Sequence, residues 1–145
     1  MIDKNLEKIA FDVYTTGFDI HQKYGPGLLE KIYALLLCNR LRKMGYFVET
    51  ERFISFEDDG ILYPNSLRAD MVINNCFAAE LKSIECMHPL FFKQLLTYLR
   101  FANIRLGFVM NFGMHLFRDG VTRVANNYYP DNAELTVFRD SLKKK

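Results

Sequence analysis

The chain is 145 residues long, 50% hydrophobic and 25% charged, with a formal net charge of +2. That length suits one domain, spanning residues 1–145, that buries roughly two thirds of its unfolded surface; half apolar content without a low-complexity tract excludes disorder beyond the ends. The nearly balanced charge excludes a polyelectrolyte, so any nucleic-acid contact has to come from local patches.

Residues 3–23 place Leu6, Ile9, Ala10, Val13 and Ile20 at helical spacing behind Asp3, an expected N-cap, with Gly17 a weak point. Gly25-Pro26-Gly27 breaks that helix. A second helix is predicted over 28–44, where Leu28, Leu29, Ile32, Tyr33, Leu36, Leu37 and Leu41 form a wide apolar stripe closed by Gly45. Residues 46–56 alternate loosely as a strand, 57–60 read as a turn, and 61–63 resume pairing before Pro64-Asn65. After a hairpin over 67–82, Pro89 suits the first turn of a third helix over 90–102, because its missing N–H would be unpaired there anyway. Strands over 105–111 and 115–117 follow, then a polar segment ending in Lys143, Lys144 and Lys145. A helical crossover between Lys82 and Arg105 lets the strand of 106–110 lie parallel to that of 78–82, which gives a mixed sheet flanked by helices.

Cys38, Cys76 and Cys86 lack metal-type spacing and are odd in number, which predicts reduced thiols. Residues 1–10 lack the apolar run of a secretion signal, and no apolar stretch approaches the roughly 20 residues that cross a bilayer. The expected setting is the cytoplasm, with no membrane contact.

The hairpin carries the chemistry. Its apolar residues fall on odd numbers, Leu67, Ala69, Met71 and Ile73 on one side and Phe77, Ala79 and Leu81 on the other, the period of half-buried strands. If both sets share one face, cross-strand partners must have numbers that add to an even total. A two-residue Asn74-Asn75 loop violates that condition and would put Asp70 and Glu80 on opposite faces. The expectation is therefore a three-residue loop or a bulge, with Asn75 in the left-handed conformation. Arg68, Asp70, Glu80 and Lys82 then share the face opposite the apolar one. A solvated strand face with ordinary cross-strand charge pairs would show the same spacing.

Four ordered motifs go further. Gly27-Leu28-Leu29-Glu30-Lys31-Ile32-Tyr33 is a Gly-x-x-Glu-x-x-Tyr run, and Arg68-Ala69-Asp70, Ala79-Glu80-Leu81-Lys82 and Gln94-Leu95-Leu96-Thr97-Tyr98 follow in order. Over roughly residues 5–125 the chain resembles the GxxExxY protein family, a branch of the PD-(D/E)XK nuclease-like superfamily. The resemblance implies a restriction-endonuclease-like α/β/α core with a mixed central sheet. It also implies that Asp70, Glu80 and the backbone carbonyl of Leu81 bind Mg²⁺ or Mn²⁺, since a hard cation takes oxygen ligands. By the same resemblance Lys82 orients the attacking water and offsets transition-state charge. Glu30 would reach the metal directly or through water, although an acid in a first turn also suits the helix dipole. Tyr33 reads as a packing residue whose hydroxyl finds a polar partner.

Gln94 and Tyr98 match a Gln-x-x-x-Tyr element beside the metal site of exonuclease-like branches, where they would touch phosphate, sugar or base; Arg68 and Lys93 are candidate phosphate contacts. Many relatives carry a histidine three positions before that glutamine. Here the position is Phe91, and His88 lies three residues earlier. The implied function is a metal-dependent phosphodiester hydrolase acting on nucleic acid, DNA ahead of RNA. The alternatives are a catalytically silent nucleic-acid or protein-binding module, as an accessory subunit or homo-oligomer, and a hydrolase of a small phosphorylated metabolite.

Overall fold

Asp3 starts the fold: its carboxylate accepts the Leu6 backbone N–H at 3.1 Å and caps α1 (Lys4–Tyr24), which buries the predicted Leu6, Ile9, Ala10, Val13 and Ile20. This computed structural model describes residues 2–128, and the terminal lysines lie outside the described residues. Gly25, at φ 73°, turns the chain out of α1. The second helix, α2 (Glu30–Lys43), begins later than the sequence predicts, because Leu29 remains extended as its N-cap. Its buried stripe is also narrower than predicted: Tyr33, Leu37, Cys38 and Leu41 are buried, whereas Leu29 and Leu35 are exposed.

Among the described residues, five strands form one sheet in the order β1 (Val48–Asp58), β2 (Ile61–Ile73), β3 (Phe77–Lys82), β4 (Leu106–Asn111) and β5 (Val121–Ala125). β3 and β4 are parallel and the other neighbours antiparallel. The helix α3 (Pro89–Ala102) makes the crossover between the parallel pair, as predicted. One apolar cluster joins α1 and α2 to Met71, Ile73, Phe77, Ala79 and Leu81. On the other sheet face Leu95, Tyr98 and Leu99 of α3 pack on Val72, Ala78 and Val109. The result is a mixed five-stranded sheet flanked by three helices.

The β2–β3 pairing is Met71 with Ala79, Val72 with Ala78 and Ile73 with Phe77, which leaves the three-residue loop that parity required. Asn75 is left-handed at φ 56°, and Asn74 joins it at φ 49°.

Two expected elements are corrected. Pro64-Asn65 does not end a strand, since β2 runs through it. The β1–β2 register shifts between Ile54 and Phe56, and Ser55 Oγ accepts the Asn65 N–H at 2.9 Å, so the proline sits at an irregularity where no ladder donor is required. Residues 115–117 are no strand either; Phe117–Gly120 is a 3-10 turn and the strand starts at Val121. Phe117 instead packs on Tyr14 and Phe112, with ring centroids 5.2 Å away in each case. Gly17 makes room for it, because a Cβ there would lie 2.7 Å from Phe117 Cζ.

Candidate active site

The hairpin β1–β2 turns over at one residue pair. Proximal to it, Val48, Met71 and Ile73 face the α1/α2 cluster; beyond it, Ile54, Leu67 and Ala69 face the α3 cluster. The register places Glu51 opposite Asp70, yet Glu51 sits at φ 49° and this pair is absent from an otherwise continuous run of partners from Val48 to Ile54. Left-handed backbone at a glutamate costs of the order of 1 kcal/mol or more and persists only where its surroundings impose it. Asp70 is thereby released from both ladders, because its pairing with β3 stops at Met71.

Carboxylates take over where the ladder stops. Glu80 Oε1 accepts the Asp70 backbone N–H at 3.0 Å, and Asp70 Oδ2 accepts the Leu81 backbone N–H at 2.8 Å. Each acid satisfies the other's strand, which fixes both side chains at the fork of β2 and β3. Burial, then the charge of Asp70, pushes the Glu80 carboxyl up to about 8. Arg68 Nη2 reaches Asp70 Oδ1 at 3.0 Å, and its Nη1 lies 3.8 Å from Glu51.

Two clefts meet at Arg68. The α2-side cleft, about 360 Å³, is lined by Glu30, Glu51, Asp70 and Leu81; the α3-side cleft, about 540 Å³, by Glu80, Lys82, Lys93, Gln94 and Tyr98. The expected single face opposite an apolar one is therefore corrected. Both faces of the sheet are covered by helices, and the polar residues gather at the fork, where the strands separate and neither layer closes over them.

Glu30 opens α2 toward this fork. Its carboxyl is held above the ordinary range by burial first and then by Asp70, against the opposing charges of Lys82 and Arg68. The Gly-x-x-Glu-x-x-Tyr run has a mechanical basis, since the Tyr33 hydroxyl accepts the Leu28 N–H at 3.0 Å and donates to the Gly25 carbonyl. Stacked on Phe112 at 4.4 Å, Tyr33 pins the turn that aims Glu30. Tyr33→Phe removes both bonds and is expected to lower stability by about 1–2 kcal/mol, measured by urea denaturation.

On the α3 side, Lys82 Nζ stands 4.8 Å from the centroid of Phe91, so the residue in the histidine position supports the lysine by cation–π contact. His88 is committed elsewhere: its Nδ1 accepts the Leu90 N–H at 3.1 Å and caps α3. Gln94 and Lys93 are exposed on the cleft wall, whereas Tyr98 is 1% exposed and its hydroxyl is buried without a hydrogen-bond partner among the described residues. Tyr98→Phe removes an unsatisfied polar group. Its melting temperature is expected to equal or exceed that of the wild type, by up to roughly 1 kcal/mol of stability.

A divalent cation fits the donor set in chemistry. Two carboxylates share one fork, and burial first and then the charge of Asp70 raise the Glu80 carboxyl, which is what a hard cation relieves; Arg68 already neutralises Asp70 there. Among the described residues no three acidic, histidine or cysteine side chains form a group able to hold a metal ion. Glu30 is therefore near enough to feel the charge of Asp70 but does not complete a three-carboxylate set.

The model of the PD-(D/E)XK nuclease superfamily matches residues 7–124. The chain belongs to the PD-(D/E)XK nuclease superfamily. Nucleases of this superfamily generally use divalent metals, and the mixed sheet with flanking helices is consistent with its fold. A solved structure described as "Crystal structure of SSO0001" aligns at 20% identity with a TM-score of 0.47, covering 79% of this chain and 57% of that chain. This chain thus spans little more than half the length of that one. No curated protein matches the sequence. No helix among the described residues is long and apolar enough to cross a membrane.

Three residues that shape the fork and its surroundings do not stand out as such in the sequence. Glu51 marks the turnover and carries no local signal. Ser83 donates to the Leu28 carbonyl at 2.7 Å and ties the end of β3 to the turn before α2. Asn111, fully buried, does leave a signal: an amide ending the apolar run Leu106–Asn111.

Proposed function

We propose that the chain is a metal-dependent nuclease that hydrolyses phosphodiester bonds in DNA or RNA with water as nucleophile. The observation that carries this reading is the reciprocal cradle of Asp70 and Glu80 at the fork of β2 and β3, with Lys82 two residues on. Asp70, Glu80 and the Leu81 carbonyl would hold Mg²⁺ or Mn²⁺, which when bound supplies Lewis-acid polarisation of the phosphate and a more acidic water. Lys82 orients that water and offsets the charge that develops as its oxygen bonds to phosphorus and the leaving oxygen departs. Glu30 orders water at the mouth of the α2-side cleft, while Gln94, Lys93 and Arg68 bind the phosphates on either side. The Gly27, Glu30 and Tyr33 motif, with its turn-pinning hydroxyl, supports placing the chain in the GxxExxY branch.

Cleavage assays on single-stranded, duplex and flap substrates with Mg²⁺ or Mn²⁺ test this reading. Lys82→Met is expected to lower kcat about 10²–10³-fold, as loss of one preorganised electrostatic donor does, while leaving metal-induced thermal stabilisation in place. Unchanged activity in this variant overturns the assignment of Lys82. Oligonucleotide binding with a steep salt slope and no cleavage of any substrate favours a binding module instead.

A further inference from the structure

We infer that the α3-side cleft is a slot for single-stranded nucleic acid from which a duplex is excluded; this rests on the nuclease reading, since Glu80 and Lys82 line the slot. The turnover at Glu51 and Asp70 swings the outer half of the β1–β2 hairpin off the sheet plane and over α3, where Ile54 and Leu67 pack against the Leu95, Tyr98 and Leu99 cluster. One wall of the slot is therefore the strand segment from Ser66 to Arg68, and the other is the α3 face that carries Lys93, Gln94 and Thr97. One helical turn further along that face, Phe101 meets Phe56 of the arm with ring centroids 5.1 Å apart, and Phe56 stacks on Tyr63 at 5.4 Å. This aromatic contact ties the arm to the helix one turn beyond Thr97.

The open cleft, about 540 Å³, has the volume of a pocket for a drug-sized ligand. It accommodates a nucleotide or two of one strand. Lys82 lies between the strand wall at Ser66, Leu67 and Arg68 and the helix wall at Lys93, Gln94 and Thr97, so the second strand of a duplex presenting the same phosphate meets a wall on either side. The lining chemistry agrees with a single strand. Arg68, Lys82 and Lys93 supply cations along a backbone, and the exposed bases of a single strand offer groups to polar side chains that a paired strand withholds.

Fluorescence anisotropy of the full chain in EDTA, where binding is read without turnover, tests the slot with a labelled oligo-dT, an oligo-rU and a blunt duplex of equal length. Either single strand is expected to bind at least about tenfold more tightly than the duplex at equal salt, and the two single strands show which sugar is preferred. Ser66→Trp and Thr97→Trp, which fill the slot from opposite walls, are each expected to weaken single-strand binding about tenfold with an unchanged melting temperature. Equal affinity for the duplex, or full single-strand affinity in both folded tryptophan variants, overturns the slot and leaves the nuclease reading standing. Absence of binding to all three probes overturns both.

Discussion

In Mg²⁺ or Mn²⁺ at about a hundredfold excess over Kd, the wild-type protein is expected to melt roughly 5–10 °C higher than in EDTA, whereas Asp70→Asn melts at one temperature in both. The shift follows from linkage: a ligand bound only by the folded chain adds about 2.7 kcal/mol at that excess. The amide of Asp70→Asn keeps the shape and removes the charge; its one oxygen retains the bond from either Arg68 or the Leu81 N–H, and the other bond is lost. The same change is expected to lower kcat/KM by about 10³-fold or more, the equivalent of roughly 4 kcal/mol of transition-state stabilisation. A metal-induced shift that survives in both Asp70→Asn and Glu80→Gln sinks the metal assignment.

The shift also depends on pH in a direction that Glu80 sets. Its folded pKa is raised from 4.5 to about 8, so its contribution to the stability of the metal-free protein is complete below 4.5 and is lost as pH climbs through about 8. A cation that takes this carboxylate must displace the proton below that pH. Metal affinity is therefore expected to rise with pH up to about 8, by at most about tenfold per unit for one proton released, and isothermal titration in buffers of different ionisation enthalpy counts that proton. Glu80→Gln has no proton to release, and its residual affinity is expected to be flat over the same range.

Parity made the loop of β2 and β3 legible in advance. A period of two admits no compromise: one residue more or less sends every side chain to the other face, so the alternation of Met71, Ile73, Phe77 and Ala79 alone required an odd loop. Parallel placement of β4 was legible for a similar reason, because α3 is long enough to cross over. The same alternation misled beyond Asp70. Leu67 and Ala69 continue the odd-numbered pattern in sequence while the strand turns over in space, and since β1 turns over with it, the register offset is the same on both sides of the missing Glu51–Asp70 pair. Glu51 adopts its left-handed backbone under tertiary constraint, which leaves nothing in its own chemistry to read. Phe117 misled in another way. A large apolar residue beside alternating neighbours reads as strand, but its ring fills the space left by Gly17 between α1 and β4.

Asn111→Ala is expected to destabilise the protein by about 3 kcal/mol and to uncouple the crossover from the sheet. The buried amide oxygen accepts the Ile84 N–H at 3.1 Å and the Gly113 N–H at 3.0 Å, and the amide nitrogen donates to the Cys86 carbonyl at 3.2 Å. Truncation leaves three backbone groups without this partner, each costing about 1–3 kcal/mol where water cannot replace it. The surroundings cannot relax to compensate. A Cβ at Gly113 would strike the Ile84 backbone and one at Gly120 the Asn111 carbonyl, so these segments already touch. Asn111 is also the parallel-ladder partner of Lys82, whose carbonyl accepts the Phe112 N–H at 2.8 Å. The amide thus fixes the segment that leaves Lys82 for α3, and with it the spacing between Lys82 and Phe91. Hydrogen exchange should accelerate at Ile84 and Gly113 in the variant, and kcat should fall with metal-induced stabilisation retained. Ser83→Ala, which cuts only the link to Leu28, is expected to cost about 1 kcal/mol and serves as the comparison. If exchange at Ile84 is unchanged in Asn111→Ala, the amide packs in the core without anchoring the crossover, and the loss of stability has another cause.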